Sequence, residues 1–224
     1  RFAQRGLDAP EMASVRAALQ RLLDAHHPYP GLVLDRQWNV LLANGAAQAL
    51  VALLPPELRG PPLNIFRASL HPQGFAAATA NFAEWGGHLV ETLRRTAADS
   101  ADPVLAALLQ EVLAYPNVAA VCAAAPARGA AADDGGPPLL LPCVMDLPLA
   151  GPDRPPQRVA LFTTLTAFGT PRDITLDELA VELFYPADAA SEALLRAAAA
   201  AGHARRGGHV RGQAHERHRV RGLH

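Results

Sequence analysis

Ser69 and His71 stand two residues apart, a nucleophile and a base by type, and are the nearest approach to a catalytic pair in the chain. Nucleophilic catalysis also needs a third group to orient the base, which sequence does not show, so the two are read as a polar pair in a loop. The sequence has no GxSxG elbow, no HExxH, no Walker loop and no GxGxxG after a strand. His26 and His27 are adjacent, so on a helix they point apart, which suits a solvated helix end rather than a metal site. Cys122 and Cys143 form no CxxC or ladder of spacings, which argues against a disulfide framework and against zinc. These residues predict no enzyme, no metal and no cofactor, and the cysteine usage fits a reducing cytoplasm.

Charge is the second chemical resource, and it is unevenly spread. From Gly202 onward six arginines face one glutamate, a net +5 in a chain of net −1, which leaves −6 for the body. An acidic body is a poor nucleic-acid surface, because affinity for phosphate comes largely from clustered cations. Thr175-Leu176-Asp177-Glu178-Leu179-Ala180 resembles the second helix of a helix-turn-helix, but Val181–Pro186 lacks the turn and the polar recognition helix that should follow. In the tail only His215 and His218 share a helical face, too few for zinc. Without apolar periodicity, residues 199–224 are expected to be a disordered, basic, His- and Arg-rich extension.

The elements that position these groups follow from periodicity and punctuation. At 224 residues and 50% hydrophobic, the chain can bury one core, and no apolar run reaches the length of a membrane span. Asp8-Ala9-Pro10-Glu11 reads as a capped helix start, with Val15, Leu19, Leu22 and Leu23 on one face. Strands are expected at 31–35 and 38–43 about a tight turn at Arg36-Gln37. Asn44 caps a helix through Leu53, and residues 57–75 read as a loop rich in large apolar groups. Asn81 caps the next helix, with Glu84 completing a capping box and Phe82, Trp85, Leu89 and Leu93 as its stripe. Asp102-Pro103 opens another, closed by Tyr115-Pro116. Residues 122–138 read as a mobile loop. Strands at 139–149 and 157–168 then precede helices at Thr175–Phe184 and Asp188–Ala200. This order predicts an α+β domain with one sheet.

From Tyr29-Pro30-Gly31-Leu32-Val33-Leu34-Asp35 through Trp38-Asn39-Val40-Leu41-Leu42-Ala43-Asn44, the sequence resembles the MmyB-like ligand-binding domain. This is the PAS-like module that follows an XRE-family helix-turn-helix in many actinobacterial transcription regulators. The resemblance continues through Pro62–Pro72 and Asn81–Trp85, and closes with Phe168–Asp173 and Phe184–Asp188. Together these pieces cover most of residues 8–198, expected as one PAS-like antiparallel sheet covered by helices. Residues 1–7 are then a remnant linker from an upstream DNA-binding part.

The resemblance implies a buried apolar pocket that holds a fatty acid or similar small molecule, and contact with DNA only through the fused helix-turn-helix. No membrane partner is expected. Leu63, Phe66, Phe82, Trp85, Leu89 and Phe162 are the candidates to line the pocket, and Arg67, His71, Arg94 and Arg95 to meet an anionic head group. The alternative for each apolar residue is ordinary core, and for each arginine a solvated face. A second reading of the whole is a PAS-like module that only mediates homodimerisation, its interior fully packed.

Overall fold

One side chain sets the hairpin that opens the sheet. Asp35 Oδ1 accepts the backbone N–H of Gln37 and of Asn39, both at 2.8 Å, and Oδ2 accepts Asn39 Nδ2 at 2.9 Å. This Asx turn holds Trp38 at a φ of 65°, so the chain reverses without an Asn-Gly pair. The computed structural model describes residues 7, 9–129, 140–151, 153–167 and 179–201.

Strands β1 (Gly31–Leu34) and β2 (Val40–Ala43) flank that turn. Later come β3 (Cys143–Leu147), β4 (Gln157–Ala167) and β5 (Ala180–Pro186). All five join in one antiparallel sheet of order β2-β1-β5-β4-β3. The early and late hairpins therefore share a sheet, as the α+β, PAS-like expectation requires.

The expected helix Thr175–Phe184 is corrected, because its C-terminal part begins β5, between β1 and β4. Val181 and Leu183 point to one face and Glu182 and Phe184 to the other, and both faces are largely covered. A strand buried on both sides shows no clean polar alternation, so periodicity alone does not separate it from a helix. The start of that expected helix, and the Phe168–Asp173 segment, lie outside the described residues.

Helix α1 (Ala13–Ala25) follows a 3-10 turn at Pro10–Met12. Asp8, the expected cap, lies outside the described residues. Leu19 and Leu23 of α1 pack with Val33, Leu42 and Val181 on one face of the sheet, whereas Leu22, expected with them, is 43% exposed. At the end of α1, His26 is no solvated terminus: its Nε2 lies 2.7 Å from the Phe184 carbonyl, and its ring meets Tyr185 edge-on.

Asn44 caps α2 (Gly45–Val51) as expected and does more. Its Oδ1 accepts from Ala47 N and Gly31 N, while Nδ2 donates to the carbonyls of Leu23 and Tyr29. One buried amide thus fastens α1, β1 and α2 together.

Two short helices, α3 (Pro56–Arg59) and α4 (Ile65–Leu70), replace the expected loop at 57–75. Asn64 caps α4 through Phe66 N and Arg67 N and ties it to the hairpin through the Gln37 carbonyl. A second 3-10 turn, Phe75–Ala78, leads to α5 (Phe82–Ser100). Here the expected capping box is absent. Asn81 turns away from the helix, donating to the Pro142 carbonyl and accepting from Val144 N, and so pins α5 to β3.

Asp102 caps α6 (Pro103–Leu113) through Val104 N. The segment expected to be mobile from Cys122 is helical as far as Gly129, within α7 (Pro116–Gly129); residues 130–139 are outside the description. Alanine is the strongest helix former, and Val118 anchors α7 to Leu70, Leu93 and Val112. The last helix, α8, spans residues 189–201, with Ser191 N capped by Asp188 Oδ1. Among the described residues, no single helix is long and apolar enough to cross a membrane.

Candidate functional site

Opposite α1, the other face of the sheet does not close against its helices. A cavity of about 230 Å³ lies between β1, β3, β4 and β5 on one side and α2, α4 and α5 on the other. Strand alternation supplies its floor: Leu161, Thr163 and Leu165 from β4, and Glu182 and Phe184 from β5. The asparagines described above hold the elements of its walls, Asn44 at α2, Asn64 at α4 and Asn81 at α5. A second groove, of about 270 Å³, runs between α2 and α8, with His27 as its only polar side chain among the described residues. The first is the candidate site because buried polar groups converge on an otherwise apolar enclosure.

Three expected lining residues meet there. Phe66 is 1% exposed on α4 with its ring 4.9 Å from Trp38, and Trp85 and Leu89 face the cavity from α5. The other expected residues stand elsewhere. Leu63 precedes the α4 cap and gives its carbonyl to Val40 N. Phe82 packs into the cluster of α4 to α7. Phe162 alternates to the far face of β4 and stacks on Tyr185 at 5.3 Å.

The expected head-group residues lie outside the cavity lining. Arg67 forms a two-pronged pair with Glu111, at 2.7 and 2.8 Å, and Tyr115 donates to the same carboxylate. This hydrogen bonding holds the Glu111 carboxyl below the usual range. His71 ends α4 with its ring edge-on to Tyr115. Arg94 is exposed and pairs with Glu91 at 2.7 Å, and Arg95 is also exposed. None of the four lines the cavity. Ser69 does, from a helix rather than a loop, while His71 turns away from it.

What the sequence reading missed is the polar equipment of the interior. Glu182 lies on β5 beside Leu32 of β1 and Leu165 of β4. Its Oε2 is buried with no hydrogen-bond partner among the described residues. Burial pushes its carboxyl up to about 7, opposed by a hydrogen bond from Thr163 that favours the ionised form. At the cavity edge, burial and then the Arg95 charge lower the His88 pKa. Burial pushes the Cys143 thiol up to about 12, against its hydrogen bond with Thr79, so it remains an unreactive apolar group at neutral pH. Among the described residues, no cluster of three or more His, Cys, Asp or Glu side chains could hold a metal ion. The signal for Glu182 was an acid alternating with large apolar residues at 181–185, legible once that segment is a strand.

The profile of the family described as the MmyB-like transcription regulator ligand binding domain matches residues 15–198, and the chain belongs to that family. It is a family of regulator ligand-binding domains and not of enzymes. No curated protein matches the chain.

Proposed function

We propose, from that membership, that the chain senses a small apolar molecule held between the sheet and α2, α4 and α5. Occupation of the cavity then modulates a helix-turn-helix DNA-binding part of the same cytoplasmic regulator. The observation that carries this reading is the apolar cavity between the sheet and α2, α4 and α5, on the face opposite the one that α1 packs against. A packed interior, as a module serving only homodimerisation would have, does not match that asymmetry.

Size bounds the ligand. A cavity of about 150 Å³ accepts benzene, so one of this size accepts roughly nine carbon-sized atoms. A medium-chain aliphatic molecule fits that volume better than a long-chain fatty acid. Burying about nine methylenes offers on the order of 7 kcal/mol before ordering costs, at ~0.8 kcal/mol each. Phe66, Trp85 and Leu89 make the apolar contacts. Arg67 and Arg94 are not assigned to the head group, because each is already satisfied by a carboxylate outside the cavity.

Native mass spectrometry of the chain purified from bacteria tests the reading. The expected result is a small apolar molecule retained on the folded chain and released on unfolding. A bare chain whose melting temperature no medium-chain aliphatic compound raises would reject it.

A further inference from the structure

A buried carboxyl oxygen without a partner is costly, commonly by more than a neutral group would be. Glu182 Oε2 is such an oxygen, and its residue faces the cavity. Among the described residues, the elements around it supply no cation to answer it. On the sheet its neighbours are Leu32 and Leu165, with Thr163 hydrogen-bonded to the same carboxyl. Across the cavity, α4 contributes Ser69 and α5 contributes Thr92 and His88, while β3 contributes Cys143. Among the described residues, His88 and Cys143 are the only other titratable groups lining the space. Desolvation disfavours the charged form of His88, and the thiol stays protonated.

We infer that Glu182 is the polar contact for the cavity's ligand, and that the ligand brings a hydrogen-bond donor, a hydroxyl or amine at the end of an apolar body. This rests on the ligand-sensing reading above and narrows its chemistry. A donor reaching the Glu182 carboxyl bonds where little solvent competes for it, Oε2 itself being closed to water, and there such a bond counts most. A carboxylate ligand would instead bring a second anion beside Glu182, with no arginine in the lining to hold it. One of the two acids would then have to bind a proton. The cavity therefore selects against the anionic head group that the fatty-acid expectation called for.

The chain carries its own reporters, since both of its tryptophans, Trp38 and Trp85, line the cavity. The experiment is a fluorescence titration of the whole chain at pH 8 with 1-nonanol, nonylamine, nonanoate and cyclohexane. The two donors are expected to bind at least tenfold more tightly than nonanoate, and the Glu182→Gln variant to shrink that gap below threefold. The alcohol and amine arms distinguish a neutral from a cationic donor. Nonanoate binding as tightly as the donors, or a gap unchanged in Glu182→Gln, overturns the Glu182 assignment while cyclohexane binding preserves the cavity reading. If no probe, cyclohexane included, changes the fluorescence, both fall together.

Discussion

The two faces of β5 are built on different terms. Val181 is 4% exposed and closes a buried apolar cluster with Leu19, Leu23 and Val33 beneath α1. One residue later, Glu182 enters an incompletely filled space with an unsatisfied oxygen. The same strand thus serves a face that only stabilises and a face that gives up stability. The difference underlies the proposed site: packing to crystal-like density is the default of protein interiors, so a void with a buried acid is where the proposal seats a ligand.

Truncation on each face probes this contrast most strongly. Leu23→Ala removes a side chain that is fully buried and should cost about 3–4 kcal/mol in urea denaturation, because the surrounding cluster cannot collapse. Leu89→Ala, beside space already empty, should cost about 1–2 kcal/mol and alter binding of the aliphatic probes. Equal losses on both faces would remove the basis for the comparison.

The next effect is electrostatic. The folded-state pKa of Glu182 stands at about 7 against an ordinary 4.5. Its contribution is fully favourable below pH 4.5 and is lost as pH rises to 7, because the unfolded chain releases the proton first. Above pH 7 the loss levels off at on the order of 3 kcal/mol. Glu182→Gln lacks this titration, so its stability relative to the parent should climb between pH 4.5 and 7 and stay constant beyond. Denaturation curves of both proteins at pH 4.5, 6 and 8 check the slope; parallel behaviour would mean the acid is solvated.

The smallest expected effect lies outside both faces. Arg94→Ala breaks an exposed pair with Glu91, so stability should change by less than about 0.5 kcal/mol and probe affinity not at all. A loss of affinity would restore Arg94 to the site.

Much of the sealed face was legible in the sequence, and much of the cavity was not. Leu19, Leu23 and Val33 announced themselves by local periodicity, and Asn44 by its position before a helix. The cavity depends on β5, whose doubly buried residues share the composition of a helix, and on α4, whose six residues lie among prolines. Phe66, Trp85 and Leu89 were recoverable as large apolar groups near one another in sequence. Thr163 and Glu182 reach the same space only through long-range strand pairing, which no local pattern encodes. The arginines were misleading because a guanidinium next to an apolar run is as well satisfied by an acid on another helix, as Glu111 satisfies Arg67.

The most direct test of the account is methyl NMR of the whole chain titrated with cyclohexane. The account predicts shifts at the methyls of Leu50, Val51, Ile65, Leu89 and Met145, which line the cavity, and none at Leu19, Leu23, Val33 or Val181. Saturable shifts confined to the α1 face, or none on either, would contradict it.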